Sequence, residues 1–60
     1  MQEGDRIELT RDITDGVHLK KGHRGRFLFN RGSKDLPLAV EMDDFGFIVV
    51  AEDEIVAVTD

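Results

Sequence analysis

The sequence predicts a small all-β domain: a single five-stranded barrel with one short 3₁₀ turn before the last strand. Three observations predict it. Apolar residues recur with a period of two over short runs, and no window of about 11 residues carries a helical period. Glycine- and aspartate-rich turn signals separate those runs roughly every 8 to 12 residues. A chain of 60 residues makes one domain, spanning 1–60, and rolling a small sheet into a barrel removes the open edges a flat one would keep.

Taken in order, Asp5-Arg6-Ile7-Glu8-Leu9-Thr10-Arg11 alternates, with Ile7 and Leu9 on one face and Arg6, Glu8 and Thr10 on the other. Residues 12–18 carry Asp12, Asp15 and Gly16 and read as a loop, which Ile13 and Val17 tie back to the core. Leu19-Lys20-Lys21-Gly22-His23-Arg24-Gly25-Arg26-Phe27-Leu28-Phe29 is the organising stretch. Its two glycines supply a tight turn and then a bend, through positive φ or a close backbone approach. In the strand that follows, Phe27 and Phe29 are expected to share the inner face, with Arg26 and Leu28 outside. Asn30 to Asp35 is a polar loop, and Pro37, lacking an N–H, belongs at a strand start or edge.

Leu38, Val40 and Met42 alternate with Ala39, Glu41 and Asp43 to give a third strand. Asp43-Asp44-Phe45-Gly46 is a hairpin turn, with Gly46 at positive φ. Phe47-Ile48-Val49-Val50 is an unbroken apolar strand, Glu52-Asp53-Glu54 a 3₁₀ turn, and Ile55-Val56-Ala57-Val58 the fifth strand. The expected core is Ile7, Leu9, Phe27, Phe29, Val40, Met42 and Ile55. Runs 27–29 and 48–50 are apolar on both strand faces, so Leu28 together with Ile48 or Val49 is expected outside. There the surplus is either covered by Ile13 and Val17 or forms a contact patch for another protein chain.

The charge is unevenly divided. Lys20, Lys21, Arg24, Arg26, Arg31 and Lys34 fall within residues 18–34, which hold no acid. Asp35, Glu41, Asp43, Asp44, Glu52, Asp53, Glu54 and Asp60 fall within residues 35–60, which hold no base. Either the halves neutralise one another across strands, or the basic run binds an anionic partner. The net charge of −5 weighs against nucleic acid. With no Trp or Tyr, the amphipathic aromatics of peptide-binding grooves are missing. The sequence has no cysteine, so no disulfide or thiol chemistry is available. No apolar run approaches the roughly 18 residues of a membrane span. A soluble, cytoplasmic protein without a cofactor is expected.

Gly4-Asp5-Arg6-Ile7, the Leu19-to-Phe27 turn, Val40 to Gly46, and Val50 to Ile55 together resemble the opening strand, glycine turn, later strands and closing 3₁₀ turn of SH3-like barrels. The chain is most similar in pattern to a small bacterial family of uncharacterised SH3-like domains. More distantly it resembles the barrels of a small photosystem I component, of the variable chain of ferredoxin–thioredoxin reductase and of the nitrile hydratase β chain. Several of these are accessory proteins beside a catalytic partner, so the resemblance implies a docking role. Other SH3-like barrels bind RNA. The plasmid-borne type of dihydrofolate reductase builds a site from a tetramer of such barrels, but its polar pore residues are replaced here by Phe47, Ile48, Val49 and Val50.

Candidate chemistry is sparse. His18 and His23 with Asp15 match no metal-cage spacing. Asp44-Phe45-Gly46 spells a kinase magnesium motif without its companions. The acids at 43–44 and 52–54 lack the ligand alternation of a calcium loop. Gly22 and Gly25 lack the following helix of a phosphate cradle. The expectation is therefore a non-catalytic interaction module that docks on a protein or on itself. The residues expected to carry it are Lys20, Lys21, Arg24, Arg26, Leu28, Arg31, Lys34 and Ile48. The alternative is nucleic-acid binding through the basic stretch 20–34.

Overall fold

The computed structural model describes every residue except Asp15 and Asp60. The loop and metal-ligand readings of Asp15, and the place of Asp60 in the acidic half, lie outside the described residues. The strands are β1 (Arg6–Leu9), β2 (Arg24–Asn30), β3 (Leu38–Met42), β4 (Gly46–Val50) and β5 (Ile55–Ala57), with a 3₁₀ turn at Glu52–Glu54. All pair antiparallel in one sheet of order β4-β3-β2-β1-β5. Among the described residues, no helix is long and apolar enough to cross a membrane.

The expected barrel closure is not present. After Val50 the chain turns away through Glu52–Glu54 to lie beside β1, so β4 and β5 are the two ends of the sheet and do not pair. The sheet nevertheless coils. Ile7, Val40 and Val50 are fully buried, and no helix or second sheet covers them among the described residues. Curvature of the sheet over its own inner face, together with the loop that carries Ile13, Val17 and Leu19, accounts for their burial. Ile7, Leu9, Phe27, Leu38, Val40, Met42, Ile48, Val50 and Ile55 line that face in one cluster, which Ile13 and Leu19 complete. Ile13 and Leu19 exchange two backbone hydrogen bonds (2.8 and 2.9 Å) that pin the 12–18 loop, and Val17 packs against the cluster.

The glycine stretch supplies the expected turn at Gly22 and a close backbone approach at Gly25, which lies inside β2. Gly22 sits at φ +92° in a turn closed by the His23 N–H donating to Lys20 O (3.0 Å), and its own N–H donates to Leu9 O (3.0 Å). Gly25 has an ordinary φ, but a Cβ there would lie 2.5 Å from Glu41 O and 2.9 Å from Met42 Cα. Only a residue without a side chain lets β2 and β3 approach this closely.

Phe29 corrects the expected core. The β2–β3 register shifts between Phe27, opposite Val40, and Phe29, opposite Ala39. Leu28 is the extra residue of this bulge, and one extra residue inverts the parity of all that follow. Phe27 is therefore buried, Leu28 half-buried, and Phe29 turned outward with 53% of its surface exposed. The other six expected core residues are buried.

The 3₁₀ turn carries a buried carboxylate. Glu54, only 8% exposed, accepts the Ala51 N–H at 2.7 Å and the Arg11 guanidinium at 2.9 Å. Thr10 donates its N–H to Glu54 O and its hydroxyl to Asp53 O. The turn is thereby locked to the end of β1.

Candidate docking surface

The β3–β4 hairpin builds the surface of interest. Met42 pairs with Gly46 across the turn, where the Phe45 N–H donates to Met42 O (3.1 Å). Two residues there take positive φ, Asp44 at +60° and Gly46 at +123°. An aspartate tolerates that region better than most residues, and a glycine best. This turn fixes the parity of β4, which its all-apolar sequence leaves open. Ile48 opposes Val40 and Val50 opposes Leu38, so both face inward, while Phe47 opposes Glu41 and Val49 opposes Ala39, facing outward. Ile48, expected outside, is thus a core residue at 8% exposure; Val49 is the one left half-exposed.

The outer face of the sheet divides in two. Over β1 and the start of β2 it is charged. Arg24 donates to Glu8 (3.1 Å), and Arg6, opposite Arg26, grips Asp43 through two bonds of 2.6 and 3.2 Å. The hydrogen bonds from Arg6 hold the Asp43 carboxyl below its usual range, with the charges of Arg6, His23 and Arg26 assisting. The His23 ring Nε2 donates to Asp43 O at 2.7 Å, which joins the glycine turn to the hairpin. Over the end of β2 and over β3 and β4 the outer face is apolar. Phe29 and Val49 flank the fully buried Ala39 in one cross-strand row, and Phe47, 58% exposed, lies two residues from Val49 on the same face.

Beside that face runs an open edge. In an antiparallel ladder, residues alternate between those whose peptide groups bond one neighbour and those that face the other. The Asp43 N–H donates to Arg24 O (3.0 Å), toward β2. By alternation Met42, Val40 and Leu38 face β4, and their partners Gly46, Ile48 and Val50 face back. The peptide groups of Phe47 and Val49 therefore point away from the sheet. A groove of about 310 Å³ lies along this edge, lined by Ile13, Val17, Leu36, Phe47, Ile48 and Val49.

The cations that the sequence singles out differ in their surroundings. Lys20, Lys21 and Lys34 are exposed. Arg24 is bonded to Glu8, Arg26 stands opposite Glu41, and Arg31 donates to Leu36 O (3.0 Å). The expected pairing between the basic and acidic halves is therefore only partial. Arg24 takes an acid from the first half of the chain, and Asp43 takes Arg6, which lies outside the basic run. Among the described residues, no three His, Cys, Asp or Glu side chains gather as a metal site. Phe29 and Phe47 are the surface residues that sequence reasoning missed, because an all-apolar run carries no parity. No family model, curated protein or solved structure matches the chain.

Proposed function

We propose that the chain is a non-catalytic docking module on an SH3-like scaffold, and that it holds a protein partner against the outer face of β3 and β4. The observation that carries this reading is that Phe29 and Phe47 are turned outward, with Val49 half-exposed between them, beside an unpaired strand edge. Large contiguous apolar patches are rare on monomers, and where they occur they mark contact sites. Phenylalanine is among the residues enriched at interface cores. Nucleic-acid binding has weaker support. Two of its cations stand beside carboxylates, Arg24 bonded to Glu8 and Arg26 opposite Glu41, so a phosphate there would have to displace an acid already in place.

The test compares affinity capture by the wild-type chain with capture by Phe29→Ser plus Phe47→Ser and by Lys20→Glu plus Arg24→Glu. Circular dichroism verifies that all three are folded. Loss of a saturable protein partner in the apolar double variant alone supports docking. Loss in the charge variant alone, together with submicromolar oligonucleotide binding by the wild type, overturns it.

A further inference from the structure

Resting on the docking reading, we propose that the partner supplies an extended apolar segment with basic flanks, which adds to β4 as a sixth strand. The peptide groups of Phe47 and Val49 supply two donors and two acceptors at the free edge, and no backbone bond from outside the sheet reaches them among the described residues. Proteins normally blunt such an edge with a lysine, a proline, a bulge or a covering loop. β4, Gly-Phe-Ile-Val-Val, has no charge and no proline, and its pairing with β3 is regular throughout. The groove along the edge is apolar, with Ile13 and Val17 from the 12–18 loop on its far side. A strand laid along β4 would bond the two exposed residues and set alternate side chains into that groove. This is recognition by strand addition, in which the backbone gives affinity and the pockets give specificity.

Charge selects the occupant. Asp44 stands at one end of β4, and Glu52 and Asp53 stand at the other; all three are exposed. Lys34 and Asp35 also line that second end and offset one another. A second copy of the chain is disfavoured on these grounds. The two-fold antiparallel pairing that sets Phe47 against Val49 of the other copy also brings the acidic Asp43–Asp44 turn of each copy toward the acidic Glu52–Asp53 turn of the other. Like charges brought together in this way repel. A segment with Lys or Arg on both flanks meets opposite charge at both ends instead.

The experiment titrates the isotope-labelled full chain with three nine-residue peptides that share a Val-Thr-Val-Ile-Val centre. One has Lys-Arg flanks and one has Glu-Asp flanks. The third has basic flanks and alternate N-methylated amides, which cannot complete the ladder. The basic-flanked peptide is expected to shift the Phe47 and Val49 amides and slow their exchange. The acidic-flanked peptide should bind about tenfold or more weakly, as expected for several rim charge pairs, and the N-methylated one should not bind. Equal binding by the N-methylated peptide, equal binding by the acidic one, or no binding by any of them overturns strand addition. Each of these outcomes leaves the docking reading to its own test, since that depends on whether Phe29 and Phe47 are needed for partner capture.

Discussion

Replacing Gly25 with alanine adds one methyl group where two strands touch. That carbon would sit 2.5 Å from Glu41 O, 2.9 Å from Met42 Cα and 2.9 Å from Met42 Sδ. The sulfur can swing aside, but the other two atoms belong to the backbone of β3. Relief therefore requires β2 and β3 to part at the Gly25–Met42 pair, against the ladder that holds them. Overpacking of this kind costs about 1–3 kcal/mol. Removing the glycine from the unfolded chain returns only about 0.4–1 kcal/mol. The steric cost wins, and with the distortion falling on backbone the net loss is expected near 2 kcal/mol. At typical per-residue values a domain of this length has roughly 3–9 kcal/mol of stability in all. For such small domains each kcal/mol moves the midpoint by about 4–8 °C, so Gly25→Ala should lower Tm by roughly 8–16 °C. Thermal unfolding followed by circular dichroism measures this directly. A variant melting within about 2 °C of wild type, where the cost would be only a few tenths of a kcal/mol, would refute the claim that the approach at Gly25 is rigid.

The bulge at Leu28 gives a contrast between two phenylalanines two residues apart: Phe27→Ala should cost about 3–5 kcal/mol, while Phe29→Ala should cost under about 1 kcal/mol, both read from urea midpoints. Gly46→Val places a β-branched residue at φ +123° and should destabilise by at least about 1 kcal/mol, even though its side chain would meet open space. Because Arg6 lowers the Asp43 pKa in the folded state, the stabilisation from that carboxylate is complete above the ordinary aspartate value and fades as pH falls through the lowered one. Asp43→Asn should therefore flatten the acid limb of the stability–pH curve and leave its neutral dependence unchanged.

How much could be read from the sequence depended on whether a run alternates. Ile7 and Leu9, or Leu38, Val40 and Met42, are separated by polar or small residues, and their inward parity was legible. Gly22 was legible as a turn and Gly25 as a position reserved for glycine, though not that the first needs positive φ and the second, inside β2, needs absent volume. Phe27-Leu28-Phe29 offers no polar residue to mark a face, so a one-residue bulge there is invisible, and with it the outward turn of Phe29. Phe47-Ile48-Val49-Val50 has the same ambiguity, which a hairpin turn outside the run resolves. The division of charge was plain, but its pairing was not. Register places Arg24 beside Glu8 and Arg6 beside Asp43, and register is a property of the whole sheet. The outward apolar residues were expected to be Leu28 with Ile48 or Val49; Val49 is half-exposed, Ile48 is buried, and Phe29 and Phe47 are the large apolar side chains that these strands turn outward.

Docking along β4 requires that the strand have one bonded side and one open side. Residue-resolved amide hydrogen exchange on the free chain measures that without any partner. The expected pattern alternates: the Ile48 and Val50 amides, which face β3, exchange slowly, and the Phe47 and Val49 amides exchange orders of magnitude faster at the same depth in the strand. Uniform protection along Phe47 to Val50 would mean that the edge is already covered, by closure of the sheet or by a second copy, and would contradict the open docking edge.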